Sequence, residues 1–414
     1  MKPLARLLIV VLLGTAAAVS SGVASAAATP TCADPAAPLT VEEQRLAQPK
    51  TGEVLQRTGF DRFAKIFTPA LCVLPDDRVA ERAMREQGRV LWEAAVARAQ
   101  GRMPAGSLPV TDDRPLYWAR LQLTKALRQW TPSFELTADR RAELIDALDM
   151  ASRGQDSIGH KGGGKRLVVT GFDPFVLDQD IRRSNPSGST ALALDGTVIQ
   201  TAAGPARIET AMFPVLWGPF AQGVVERTLL PQLKRIDMFT TLSQGRVGRF
   251  DLERYNGRWR GGFPDNDNVS STGVIPIFGG LPTVLPPPEF VPTTLPYAQI
   301  IAANTGRFPV FDNTTVVEIP AGGTDPVTRP DGPTPGSVAR EGGGGDYLSN
   351  EIAYRATLLR DALGVDIPGG HLHTPVLQFA GGNTTELTDA VFEANQRDII
   401  DQVRNVLVVA AGTL

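Results

Sequence analysis

The chain has 414 residues, of which 42% are hydrophobic and 21% charged, with a formal net charge of −3, two cysteines and three histidines. That composition supports a proper core and two or three domains, and its mild acidity argues against nucleic acid as the main partner. His371 and His373 stand only two residues apart, with no His-Glu-x-x-His or Cys-x-x-Cys pattern near them, so no metal site and no cofactor are expected.

Lys2 and Arg6 precede the apolar run from Leu7 to Leu13, and small residues lead to Ala24-Ser25-Ala26. A charged start, a short apolar centre and an Ala-x-Ala site predict a signal peptide over 1–26. Its removal takes the formal charge from −3 to −5. No later stretch approaches the ~20 apolar residues of a membrane-spanning helix. The mature chain is therefore expected to be secreted, with no membrane association after cleavage. In an oxidising compartment Cys32 and Cys72 are expected to pair, which leaves no free thiol for catalysis.

Residues 27–153 read as a helical N-terminal domain. Val79, Met84, Val90, Leu91, Ala94 and Val96 are interspersed with charged residues from Asp76 to Gln100, and Thr137 opens a second helix running to Arg153. A glycine-rich linker follows at 154–165. Gly159, Gly164 and Lys165 approach a phosphate-loop spacing, but Arg166 stands where a Ser or Thr is needed, and the segment precedes a strand instead of joining strand to helix.

From residue 166 to 414 the pattern is α/β. Strands are predicted at Arg166–Thr170, Met238–Leu242 and Thr315–Ile319, and helices at Pro219–Leu233, Tyr297–Thr305 and Ser349–Leu363. The run containing Arg246, Arg249, Arg254, Arg258 and Arg260 reads as a polar loop of salt-bridged arginines in preference to a single-strand surface. The Gly/Pro-rich stretch Ala321–Gly345 reads as a mobile insertion or lid. Ser349 falls near a helix N-terminus, where it serves equally as an N-cap or as a nucleophile whose developing charge the free N–H groups stabilise. Spacing alone does not pair it with His373.

Five short motifs occur in an order that carries a resemblance. Thr170-Gly-Phe-Asp-Pro-Phe175 with Asn185-Pro-Ser187, Gly248-Arg249 with Glu253-Arg254, Phe263-Pro-Asp-Asn266, Asp346-Tyr-Leu-Ser-Asn350 and Gly369-Gly-His-Leu-His-Thr-Pro375 resemble the signature segments of pyroglutamyl peptidase I, a cysteine peptidase family that removes N-terminal pyroglutamate. The resemblance covers roughly 165–380 and leaves the helical domain without a counterpart. It implies an open twisted sheet flanked by helices, with the site at strand ends.

The resemblance also implies roles. Ser349, in place of the family's cysteine, would be the nucleophile, His373 the general base and later acid, and Glu253 the carboxylate that fixes the imidazole. Phe172, Phe175, Tyr347 and Leu348 would line an apolar slot for a flat pyrrolidone ring, with Asn185 and Gln244 as polar pocket residues. Core packing of the aromatics and turn bonding by Asn185 remain open alternatives. His371 stands where the family has an aromatic residue. Gly262 replaces an arginine expected two residues before Pro264, so an oxyanion or pocket contact is missing unless Arg260 reaches in. A serine cannot be stored ionised as a thiol can, and it must lose its proton during attack. Outside the cell, however, it resists oxidation. The implied function is a secreted hydrolase taking pyroglutamate or a similar cap from a peptide or small acyl-amide substrate through an acyl-enzyme. A catalytically inactive binding protein of the same fold is the alternative. Family members commonly form homo-oligomers, which the added domain would either permit or block.

Overall fold

The computed structural model describes residues 32–159 and 162–414. The predicted signal peptide lies outside the described residues. No helix among them is long and apolar enough to cross a membrane.

The α/β part is organised on a seven-stranded sheet. In spatial order its strands are Val310–Asn313, Phe250–Glu253, Gly369–Thr374, Met238–Gln244, Lys165–Phe172, Gly204–Phe213 and Val198–Thr201. The four strands from Gly369–Thr374 to Gly204–Phe213 run parallel to one another. Antiparallel pairings attach Phe250–Glu253 on one side and Val198–Thr201 on the other. Burial of both faces explains the continuous apolar run Leu167-Val168-Val169 in the central strand, where each residue is fully buried. On one face Leu167, Val169 and Leu242 pack under the helix Ala390–Ala411, and on the other Val168, Phe213 and Phe239 pack under the helix Leu348–Ala362.

The N-terminal part is helical. Asp77–Ala99 is capped by the Asp76 side chain, and Ala138–Ser152 by that of Thr137, the residue expected to open it. They pack with Arg114–Gln129 around Trp92, Trp118 and Leu144. Cys32 and Cys72 are joined by a disulfide that ties the start of the described chain to the end of the helix Asp61–Leu71. The helical core does not stop at residue 153. It continues through Leu177, Ala191, Leu192 and Met212 of the α/β part. Gly154 and Gln155, placed in a linker by their composition, are buried, and the Gln155 amide donates to the Met212 carbonyl at 2.8 Å.

Several predicted elements change form. The helix expected at Pro219–Leu233 is two short helices, Trp217–Ala221 and Val224–Leu229, broken where Gly223 adopts φ 76°. The strand Val316–Ile319 joins a separate three-stranded antiparallel sheet with Val327–Arg329 and Val338–Glu341. The stretch read as a mobile insertion therefore supplies two paired strands, pinned by the fully buried Glu318, which accepts from the Arg329 guanidinium at 2.8 Å and the Thr334 N–H at 2.7 Å. The arginine-rich run is not a loop either. It holds the strands Phe250–Glu253, Tyr255–Gly257 and Trp259–Gly261, while its arginines are indeed ion-paired at Arg246, Arg249, Arg254 and Arg260.

Candidate active site

The site forms where the parallel strands Gly369–Thr374 and Met238–Gln244 end, beside the antiparallel Phe250–Glu253 and the start of the helix Leu348–Ala362. Alternation along a strand puts His371 and His373 on one face, and their rings meet edge to face with centroids 4.6 Å apart. Their environments separate them. His371 is fully buried, with Nδ1 2.8 Å from Thr241 Oγ1 and Nε2 2.8 Å from Ser243 Oγ, its cross-strand neighbours on Met238–Gln244. Burial, and then the adjacent His373 ring, hold its pKa well below the ordinary range, so it is neutral and holds Ser243 in place.

His373 instead meets a carboxylate. Its Nδ1 lies 2.7 Å from Glu253 Oε1, and both residues are buried. Glu253 Oε2 accepts from Asn313 Nδ2 at 2.7 Å, so the carboxylate is held at both oxygens. With Nδ1–H donating to Glu253, the lone pair falls on Nε2, which has no hydrogen-bond partner among the described residues and is free to take a proton.

Ser349 lies across the same pocket, which both residues line. It is the second residue of its helix. The cap position belongs to Tyr347, whose side chain makes no cap bond, so the N-cap reading of Ser349 is set aside. The first intrahelical bond is from Glu351 N–H to the Tyr347 carbonyl, which leaves the N–H groups of residues 348–350 ahead of it at the positive end of the helix dipole. Ser349 Oγ donates to the Gly344 carbonyl at 3.4 Å, and no hydrogen bond joins it to His373. Gly344 fills the space between them. A Cβ there would stand 2.6 Å from His373 Cε1, and one on Gly343 would stand 2.4 Å from Glu253 Oε2, so this wall of the site has to be glycine.

From Ser349 an apolar slot runs inward. It is lined by all six predicted pocket residues, Phe172, Phe175, Asn185, Gln244, Tyr347 and Leu348, together with Val215 and Ser243. Tyr347 is set edge-on between Trp217 and Phe263 with its hydroxyl on the Pro264 carbonyl at 3.1 Å. Asn185 sits at the wall with its amide committed, since Nδ2 donates to the Asp173 carbonyl at 2.9 Å and Oδ1 accepts from Ser187. Among the described residues the Gln244 amide makes no hydrogen bond, and it lines the slot. Arg260 does not replace the arginine lost at position 262. Its guanidinium forks onto Glu351 with two bonds of 2.6 Å and braces the helix bearing Ser349.

Asn313 and the Gly343–Gly344 wall were not found from the sequence. Asn313 belongs to no motif, and its role depends on pairing beside Glu253 across 60 positions of chain. A run of four glycines just before a candidate nucleophile was the available sign of close backbone approach.

Comparison with known proteins gives the relationships of the chain. Residues 24–149 match the family described as PA0049 N-terminal domain, and residues 166–286 and 307–378 match PA0049, C-terminal domain. The uncharacterized protein PA0049 of Pseudomonas aeruginosa is 35% identical, with 88% of this chain and 85% of that protein covered. Among solved structures, a mutant pyrrolidone carboxyl peptidase from Pyrococcus furiosus is 22% identical with a TM-score of 0.41, over 60% of this chain and 99% of that one. Pyroglutamyl peptidase I from Bacillus amyloliquefaciens is 20% identical with a TM-score of 0.39, over 60% and 97% respectively. By its sequence match along both of its parts, this chain belongs to the PA0049 family.

Proposed function

We propose that the protein is a secreted hydrolase that removes pyroglutamate, or a similar small flat acyl cap, from the N-terminus of peptides. The observation that carries this reading is the convergence of Ser349 and a Glu253-held His373 on one pocket that opens into an apolar slot. The motif resemblance to pyroglutamyl peptidase I supports the choice of acyl group, and the predicted leader with the Cys32–Cys72 disulfide supports action outside the cytoplasm.

In this reading the ring enters between Phe172, Phe175 and Tyr347, with the Gln244 amide within the same slot to bond its polar edge. Ser349 Oγ turns from the Gly344 carbonyl, passes its proton to His373 Nε2 and bonds to the acyl carbon. The carbonyl oxygen gains the electron pair, and the first-turn N–H groups of the helix are the donors assigned to hold it. His373 returns the proton to the departing amine as the C–N bond breaks. Water, deprotonated by the same nitrogen, then releases the acyl group and restores the serine. Glu253 keeps the imidazole in the required tautomer and stabilises its charged form.

Release of a reporter amine from a pyroglutamyl amide tests the reading. Wild type should turn over, Ser349→Ala should lose about 10³-fold or more, and a Ser349→Cys variant should retain activity. Silence of the wild type with turnover by the cysteine variant would identify a pocket inactivated at one atom, and silence of both would exclude this acyl chemistry.

A further inference from the structure

The helical part is bound to the slot through buried polar contacts, and these fall on the chain segments that build its walls. The Asp173 carboxylate, between slot residues Phe172 and Phe175, accepts from Arg120 Nη1 at 2.9 Å and from Arg153 Nη2 at 2.8 Å, with none of the three exposed. Asp113 accepts from the Ser184 hydroxyl at 2.5 Å and the Asn185 N–H at 3.0 Å. Glu42 Oε1 accepts from the Tyr117 hydroxyl at 2.8 Å and from Asn266 Nδ2 at 3.0 Å, and the same amide reaches the Pro174 carbonyl at 2.9 Å. Asn266 also donates its N–H to the carbonyl of the slot residue Val215.

We propose that the helical part is the positioning element of the slot: Arg120, Arg153, Asp113 and the Glu42–Tyr117 pair hold the 172–175, 184–185 and 266 segments where they accept the acyl group. This rests on reading the slot as the acyl site. Buried ion pairs recover little stability after desolvation, and well-packed apolar groups would join two cores at least as firmly. What charged, directional contacts add is a fixed geometry. A guanidinium pair on one carboxylate fixes Asp173 from two directions, and so fixes the spacing of the two phenylalanines beside it. These are positioning residues, since none of them lines the slot.

The test uses the full mature chain with Tyr117→Phe, Asp113→Asn, Arg120→Lys and Arg120→Met. Met84→Ala, in the helical core away from the slot, is the control for stability alone. Hydrogen exchange over residues 170–187 and 263–268 should accelerate about tenfold in the clamp variants, with Arg120→Lys less affected than Arg120→Met. The control should leave those segments at wild-type rates even where it lowers Tm as far. KM for a pyroglutamyl reporter should rise about tenfold while kcat stays within about twofold. Unchanged slot exchange in every clamp variant, or equal acceleration in Met84→Ala, would overturn the proposal. Should Arg120→Met fail to fold, Tyr117→Phe and Asp113→Asn carry the same comparison. A wild type without turnover would end the hydrolase reading, while exchange still decides the positioning role.

Discussion

Two charged clusters flank the same slot and are built on opposite plans. Behind it, Asp173 is held by two guanidiniums, with Arg120 further tied to Ser152 Oγ at 3.0 Å. In front, the Glu253 carboxylate is fixed at both oxygens, but one nitrogen of the imidazole it holds has no hydrogen-bond partner among the described residues. On the hydrolase reading, the difference separates holding from reacting. A carboxylate bonded at both oxygens, as Asp173 is, defines a position, whereas a proton carrier needs one site left open, and His371 against His373 repeats the contrast two residues apart.

The largest expected effect comes from breaking the front cluster. Glu253→Gln keeps the shape but can present an N–H to His373 Nδ1, favouring the tautomer that protonates Nε2 and removes the base. On the hydrolase reading kcat should fall about 10³-fold with KM little changed. The Asn313 amide would then face a neutral partner, so Asn313→Ala should act in the same direction by about tenfold. Stopped-flow turnover of a pyroglutamyl reporter checks both. An unaltered kcat in Glu253→Gln would mean that the pair is structural only.

The two clusters also differ in how much of them the sequence shows. That Ser349, His373 and Glu253 gather at one pocket is legible because each sits in a short motif whose neighbours are local, and the same holds for the slot-lining residues other than Gln244. Helices with caps and one polar face, such as Asp77–Ala99, are legible for the same reason. The rear clamp is not. Arg120 lies 53 positions from Asp173, and Glu42 lies 224 from Asn266, and nothing in a window around either distinguishes a buried arginine from the exposed Arg85 or Arg89 of the same region. The strand Phe250–Glu253 was hidden differently. Its arginine neighbours suggested a loop, whereas tertiary pairing with Gly369–Thr374 and Val310–Asn313 sets its conformation.

A smaller effect should appear in the pH dependence of stability. Burial first, then the charges of Asp267 and Asp173, raise the Glu42 carboxyl from 4.5 to about 7. Between those values the unfolded chain releases a proton that the folded chain keeps, so stability falls as pH rises from about 4.5 to about 7 and levels off above. Asp113, raised to about 7 chiefly by burial, contributes in the same direction. Glu42→Gln fixes the neutral form, in which the oxygen facing Tyr117 and Asn266 still accepts. Urea titrations from pH 5 to pH 8 should show that variant losing less stability than wild type, by on the order of 2 kcal/mol. Parallel curves for the two proteins would show that Glu42 ionises normally.

The smallest effect belongs to ion pairs of the same chemistry at the surface. Arg89 reaches Glu86 at 2.6 Å and also contacts Glu93, yet all three side chains are more than two-fifths exposed. Water screens each charge whether or not the pair forms, and ordering three long side chains offsets much of the attraction. Arg89→Ala should therefore cost no more than about 0.5 kcal/mol and leave hydrogen exchange around the slot unchanged. The comparison with Arg120→Met is direct, since each removes one guanidinium from a helix of the same region. If Arg89→Ala destabilised the chain as much as Arg120→Met, burial would not be what distinguishes the rear clamp, and its effect on the slot would need a cause other than desolvated, directional bonding.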